Sequence, residues 1–125
     1  MSSAILLVAH GSRRPAANAE LLKVAELLRP RVAPAVVEIA YLELTTPSIP
    51  EGLNLCLKHG VNSVRILPYF LSPGAHVVED LERERADFAT RFPEVEFTLC
   101  PPMGLHPLVI DVLQDRLSES LNSIR

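Results

Sequence analysis

Four short apolar runs, at residues 4–9, 36–42, 63–70 and 95–100, each give way to a stretch whose apolar residues recur at helical spacing. Ala17, Leu21, Ala25 and Leu28 share one helical face, with Pro30 near its end. Leu53, Cys56 and Leu57 mark a second helix that stops at Lys58-His59-Gly60. Thr46-Pro47, a capping residue followed by proline, predicts where it starts. Val78, Leu81, Phe88 and Phe92 mark a third helix, closed by Pro93, with Glu79 and Asp80 expected in its first turn. Val109, Val112, Leu113, Leu117 and Leu121 mark a fourth, opened by Pro107. A strand followed by a helix, four times over, allows few folds. It predicts an α/β protein, a four-stranded parallel sheet in the order 2-1-3-4 with helices on both faces and right-handed crossovers. At 125 residues, 48% of them hydrophobic, residues 1–125 are expected to form a single domain around a real core.

Several function classes fall away at once. No apolar run approaches the roughly 18 residues of a membrane span. The N-terminus has no basic segment leading into a long apolar one, so a secretory signal is not expected. Cys56 and Cys100 are too few for a disulfide framework and sit in apolar settings, which predicts reduced thiols and a cytoplasmic protein. A net charge of −3, no tryptophan and no basic stripe disfavour nucleic-acid binding.

In an open parallel sheet, sites form beyond the carboxyl ends of the strands. The residues there are unusual for a core-building chain. The first strand is followed by His10-Gly11-Ser12-Arg13 and the second by Glu43. Ser72-Pro73-Gly74-Ala75-His76 follows the third, and a segment ending in His106 follows the fourth. Glu43 lies 33 residues after His10 and His76 lies 33 after Glu43, one strand–helix unit each, so the three are expected at the same rim. Two imidazoles and a carboxylate suit Fe, Co, Ni or Zn and would be odd for Mg or Ca. The same groups suit proton acceptance near neutral pH.

Plainer roles compete at each position. His10 alone could cap a turn, His76 could be a loop histidine at a helix start, and Glu43 could face solvent at a strand end. His106, before Pro107, suits support of its own loop as well as ligand contact. His59 beside Gly60 reads as a helix-terminus residue. The run Glu79 to Arg85 reads mostly as a solvated helix face.

Three segments together resemble one family. They are Ala9-His10-Gly11-Ser12-Arg13, then Pro68-Tyr69-Phe70-Leu71-Ser72-Pro73-Gly74-Ala75-His76-Val77-Val78-Glu79-Asp80, then Pro101-Pro102-Met103-Gly104-Leu105-His106-Pro107-Leu108. They are similar to the class II tetrapyrrole chelatases, and within these to the small CbiX type of sirohydrochlorin chelatase. The resemblance implies insertion of Co²⁺, Fe²⁺ or Ni²⁺, as a substrate, into sirohydrochlorin with loss of two protons and no organic cofactor. It implies that His10 and His76 are the metal-binding and proton-accepting residues, and that Glu43 is the acidic member of the set. It places Leu71, Pro73, Ala75, Pro101 and Met103 toward the flat macrocycle. Ser12, Arg13 and the helix starts near His76 and His106 then receive its carboxylates, with Ser72 and Gly74 in the same substrate-binding segment. Longer members carry two such halves, so one half implies a homodimer with the cleft between subunits. A non-catalytic metal or tetrapyrrole carrier would use the same residues.

Overall fold

The computed structural model describes residues 2–124. Its elements run β1 (Ser3–Ala9), α1 (Pro15–Val32), β2 (Val36–Tyr41), α2 (Ile49–Leu57), β3 (Ser63–Pro68), α3 (Ala75–Arg91), β4 (Glu96–Leu99) and α4 (Pro107–Ile124). All strand pairs are parallel, as the alternation predicts, and the sheet has the expected order β2-β1-β3-β4. β1 is central and buried from Ala4 to Val8, which is why it reads as an unbroken apolar run rather than an alternating one.

The sheet has a core on each face. On one, α2 and α3 cover Leu6, Val8, Val64 and Ile66 with Leu53, Cys56, Leu81 and Phe88. Phe88 is fully buried, stacked on Phe92 at 5.8 Å and edge-on to Phe97 at 6.0 Å. Gly52 lets α2 settle onto the sheet, since a Cβ there would stand 2.7 Å from Leu6 Cδ1 and 2.8 Å from Ala40 Cβ. On the other face, Leu21 and Ala25 of α1 pack on Ile5, Leu7, Val37 and Tyr41. Ala17, expected on this inner face, is exposed. Cys56 and Cys100 are free thiols, and burial pushes Cys56 up to about 12.

Two helix starts differ from the sequence reading. α2 begins after Ser48 rather than at Thr46-Pro47. Ser48 accepts from Glu51 N–H, and the Glu51 carboxylate accepts from Ser48 N–H at 2.8 Å. This reciprocal capping box satisfies two otherwise orphaned donors. α3 begins at Ala75, which places Glu79 and Asp80 in its second turn, beyond the first-turn position expected of them.

The larger difference is α4. Its apolar residues were expected to pack, yet Leu113 and Leu117 are each 62% exposed, and Leu108, Ile110, Val112 and Leu121 are exposed as well. α1 covers only the β1–β2 half of its face. On the same face Arg65 of β3 and Thr98 of β4, paired in register with one another, are exposed. α4 stands off this open half, with an apolar cavity of about 470 Å³ between Leu67 and Pro101 on one side and Val109 and Val112 on the other. Within the described residues, the chain has no surface that buries the α4 stripe.

Candidate functional site

β1 and β3 are adjacent, but the helices that follow them lie on opposite faces, so a crevice opens beyond their carboxyl ends. His10 follows β1 directly. The β1–β2 pairing continues past both strands: Leu42 N–H donates to Ala9 C=O and Glu43 N–H to His10 C=O, each at 3.1 Å. This brings the two side chains together, with His10 Nε2 3.0 Å from Glu43 Oε1. Both remain about half exposed, at 56% and 57%. Phe70, just past β3, meets the His10 ring edge-on at 6.3 Å.

Gly11 makes the approach possible. Its φ is +100°, and a Cβ there would fall 1.9 Å from the Glu43 carbonyl oxygen. Any side chain would push the His10 loop away from the Glu43 loop or force a conformation that L-residues rarely adopt.

His76 opens α3 from the far side of the same cavity, about 400 Å³ in volume, that His10 and Glu43 line. Its side chain is 99% exposed, with Nδ1 3.9 Å from Glu79. Among the described residues no three His, Cys, Asp or Glu side chains converge as a closed cluster. His10 and Glu43 therefore form a pair, and His76 faces it across open space. A separation of 3.0 Å also suits two neighbouring ligands of one ion, since bonds of about 2.1 Å at right angles span that distance.

The remaining predicted residues line other surfaces. Ser12 and Arg13 line a second cavity, of about 410 Å³, on the α1 side. Leu71 and Met103 meet at an apolar surface with Tyr69. Backbone bonds from Met103 N–H to Phe70 C=O and from Gly104 N–H to Leu71 C=O zip the two loops that carry it. Pro73 and Pro101 border a separate apolar recess. Ser72 is exposed in the approach to α3, Gly74 is the residue before its first turn and Ala75 begins it. His106 Nδ1 accepts Leu108 N–H at 3.1 Å, so its ring caps the start of α4 and borders the cavity beneath it.

Asp80 and Arg83 are exposed, as expected of a solvated face, and with the half-buried Glu84 they also line the His10 cavity. Asp80 and Glu84 follow His76 by one and two helical steps of four, a spacing that could have identified them. Asp80 is held by Arg83 at 2.9 Å. Burial, and then the neighbouring Asp87, keep the Glu84 carboxyl above its ordinary range.

A family model described as CbiX matches residues 4–120. The chain belongs to the CbiX family. Its CbiX fold is shared with solved structures. One is a CbiX protein from Marinobacter aquaeolei VT8, with TM-score 0.81 at 28% identity, covering 97% of this chain and 98% of that one. Another is the sirohydrochlorin chelatase SirB from Bacillus subtilis subspecies spizizenii in complex with cobalt, with TM-score 0.86 at 33% identity, covering 95% of this chain and 51% of that one. Among curated relatives, the chloroplastic sirohydrochlorin ferrochelatase of Arabidopsis thaliana is 34% identical over 96% of this chain and 53% of its own length. The chain spans about half the length of the first curated relatives it matches.

Gly11→Ala is expected to destabilise the fold by about 1–3 kcal/mol or more in chemical denaturation, the range for a strained backbone position. It should also move the His10 imidazole NMR signals while leaving those of His106 in place. Unchanged stability and unchanged His10 signals would refute the close approach as the reason for glycine.

Proposed function

We propose that this chain inserts a divalent metal, Co²⁺, Fe²⁺ or Ni²⁺, into sirohydrochlorin. The observation that carries the reading is the His10–Glu43 pair, held 3.0 Å apart at the sheet rim and facing His76 across one cavity. The cobalt-complexed relative supports it, and so do relatives named as ferrochelatases and cobaltochelatases.

The chemistry follows from the groups present. An incoming cation displaces the proton between His10 Nε2 and Glu43 Oε1, which passes to water, and takes both as neighbouring ligands. Two protein ligands and a third opposite hold the ion firmly enough to strip water and loosely enough to release it to four ring nitrogens. The macrocycle must lose two pyrrole protons; as the ion passes to the ring nitrogens, the freed imidazole accepts one and the freed Glu43 carboxylate the other, and both protons then pass to water. His76, exposed and without a short contact, is free to reach toward the ring. Tyr69, Leu71 and Met103 offer an apolar surface for the flat macrocycle. Arg13, with its planar guanidinium, and Ser12 suit carboxylates at the ring's edge. The net charge of −3 works mildly against an anionic substrate, although local fields decide this more than the total. The free thiols support a reducing, cytoplasmic setting.

We further propose that residues 1–125 act as one domain of a homodimer. The exposed apolar stripe of α4 and the open β3–β4 half of the sheet support this, because contiguous exposed apolar surface of this kind marks an interface.

Sirohydrochlorin mixed with Co²⁺ and the protein should show the absorbance change of metal insertion with many turnovers per protein. His10→Ala and His76→Ala should each lower the rate at least about tenfold with the fold intact. Stoichiometric binding with no rate above the metal-only control would favour a carrier, and wild-type rates in His76→Ala would remove that residue from the mechanism. Light scattering at micromolar concentration should give a dimer, and Leu113→Ser with Leu117→Ser should shift it toward monomer. A fully active monomer would contradict the shared cleft.

A further inference from the structure

We propose that Asn18, on α1, is a positioning residue that sets His10 for metal capture; this rests on the metal-binding reading above. The hydrogen bonds of Asn18 go to Ser12 and Tyr41 rather than to His10 or Glu43. Its carboxamide instead clamps the loop that carries His10. Ser12 N–H donates to Asn18 Oδ1 at 2.9 Å, and Asn18 Nδ2 donates to Ser12 C=O at 2.8 Å. A single side chain thus satisfies both backbone groups of Ser12, two residues beyond His10. Among side chains only an amide offers an acceptor and a donor side by side for this reciprocal pair.

The clamp is anchored in turn. Tyr41 Oη donates to Asn18 C=O at 2.6 Å. Tyr41 is buried, and burial raises its phenol pKa, so the hydroxyl stays a donor. Tyr41 closes β2, two residues before Glu43, and its own N–H donates to Pro47 C=O at 2.8 Å. One polar chain therefore runs from the loop after β2 through Tyr41 and Asn18 to Ser12. It ties together the two backbone segments that present Glu43 and His10. Ser12 Oγ accepts Arg14 N–H at 3.0 Å, which ends the loop at the start of α1.

The pair itself is half exposed and does little to hold its own geometry, because exposed ion pairs contribute little. Gly11 supplies space and Phe70 borders the His10 ring on the β3 side. The bond from Glu43 N–H to His10 C=O holds the backbone only as far as His10, and neither contact fixes the loop beyond it. The Asn18 clamp does. Outer partners of metal-binding residues commonly change affinity by about 10–100-fold when removed.

The test is titration of the metal-free protein with Co²⁺ alone, following cobalt absorbance, with melting temperature measured in parallel. Wild type should bind, and His10→Ala should abolish that binding; if His10→Ala binds as wild type does, the metal-binding reading itself fails. Given His10-dependent binding, Asn18→Ala should raise Kd about 10- to 100-fold. Tyr41→Phe should raise it in the same direction by less. Val24→Ala, which trims α1 packing away from the loop, should lower the melting temperature and leave Kd unchanged. Unchanged Kd in Asn18→Ala overturns the proposal, as does an equal loss in Val24→Ala. Should Asn18→Ala fail to fold, Tyr41→Phe decides, and unchanged Kd there overturns it.

Discussion

The site depends on the register of β1 against β2. Ala9 pairs with Tyr41, and the ladder runs on through Leu42 N–H to Ala9 C=O and Glu43 N–H to His10 C=O. A slip of one residue would turn one of the two side chains to the opposite face. The apolar residues of β1, buried on both faces, resist such a slip because every alternative register exposes part of the core. Core packing thus fixes, from a distance, a 3.0 Å contact between two half-exposed polar groups.

This division of labour explains what could be read in the sequence. Strand runs and helical periodicity come from burial, and burial leaves a pattern in residue type. The parallel sheet with helices on both faces and the arrival of His10, Glu43 and His76 at one rim were therefore legible. The start of α2 was misread, though Ser48-Ile49-Pro50-Glu51 carries a capping-box signature, because Thr46-Pro47 offers a competing cap. Asp80 is exposed, as its charged neighbourhood implies, and its place with Glu84 on the cavity wall was signalled only by their four-residue spacing from His76. Asn18 left no signal at all: one asparagine on a helix says nothing of the two backbone groups it meets.

The position of α4 was hidden for a different reason. Val109, Val112, Leu113, Leu117 and Leu121 have the spacing of a core-facing helix, and periodicity reports only that a stripe is to be buried. It does not report against what. In this chain the stripe is exposed and half a sheet face is open beside it. The same pattern that defines the inner faces of α1 to α3 accordingly becomes, in α4, a surface suited to another subunit.

The direct test of the metal site is anomalous diffraction from crystals soaked in Co²⁺. The chain contains a second histidine–glutamate pair, His59 Nε2 with Glu38 Oε2 at 3.3 Å, away from the rim, which serves as an internal comparison. Cobalt is expected at the rim, bound by His10 Nε2 and a Glu43 carboxylate oxygen at about 2.0–2.2 Å, with His76 turned toward it. Cobalt on His59 and Glu38 with the rim empty would contradict it.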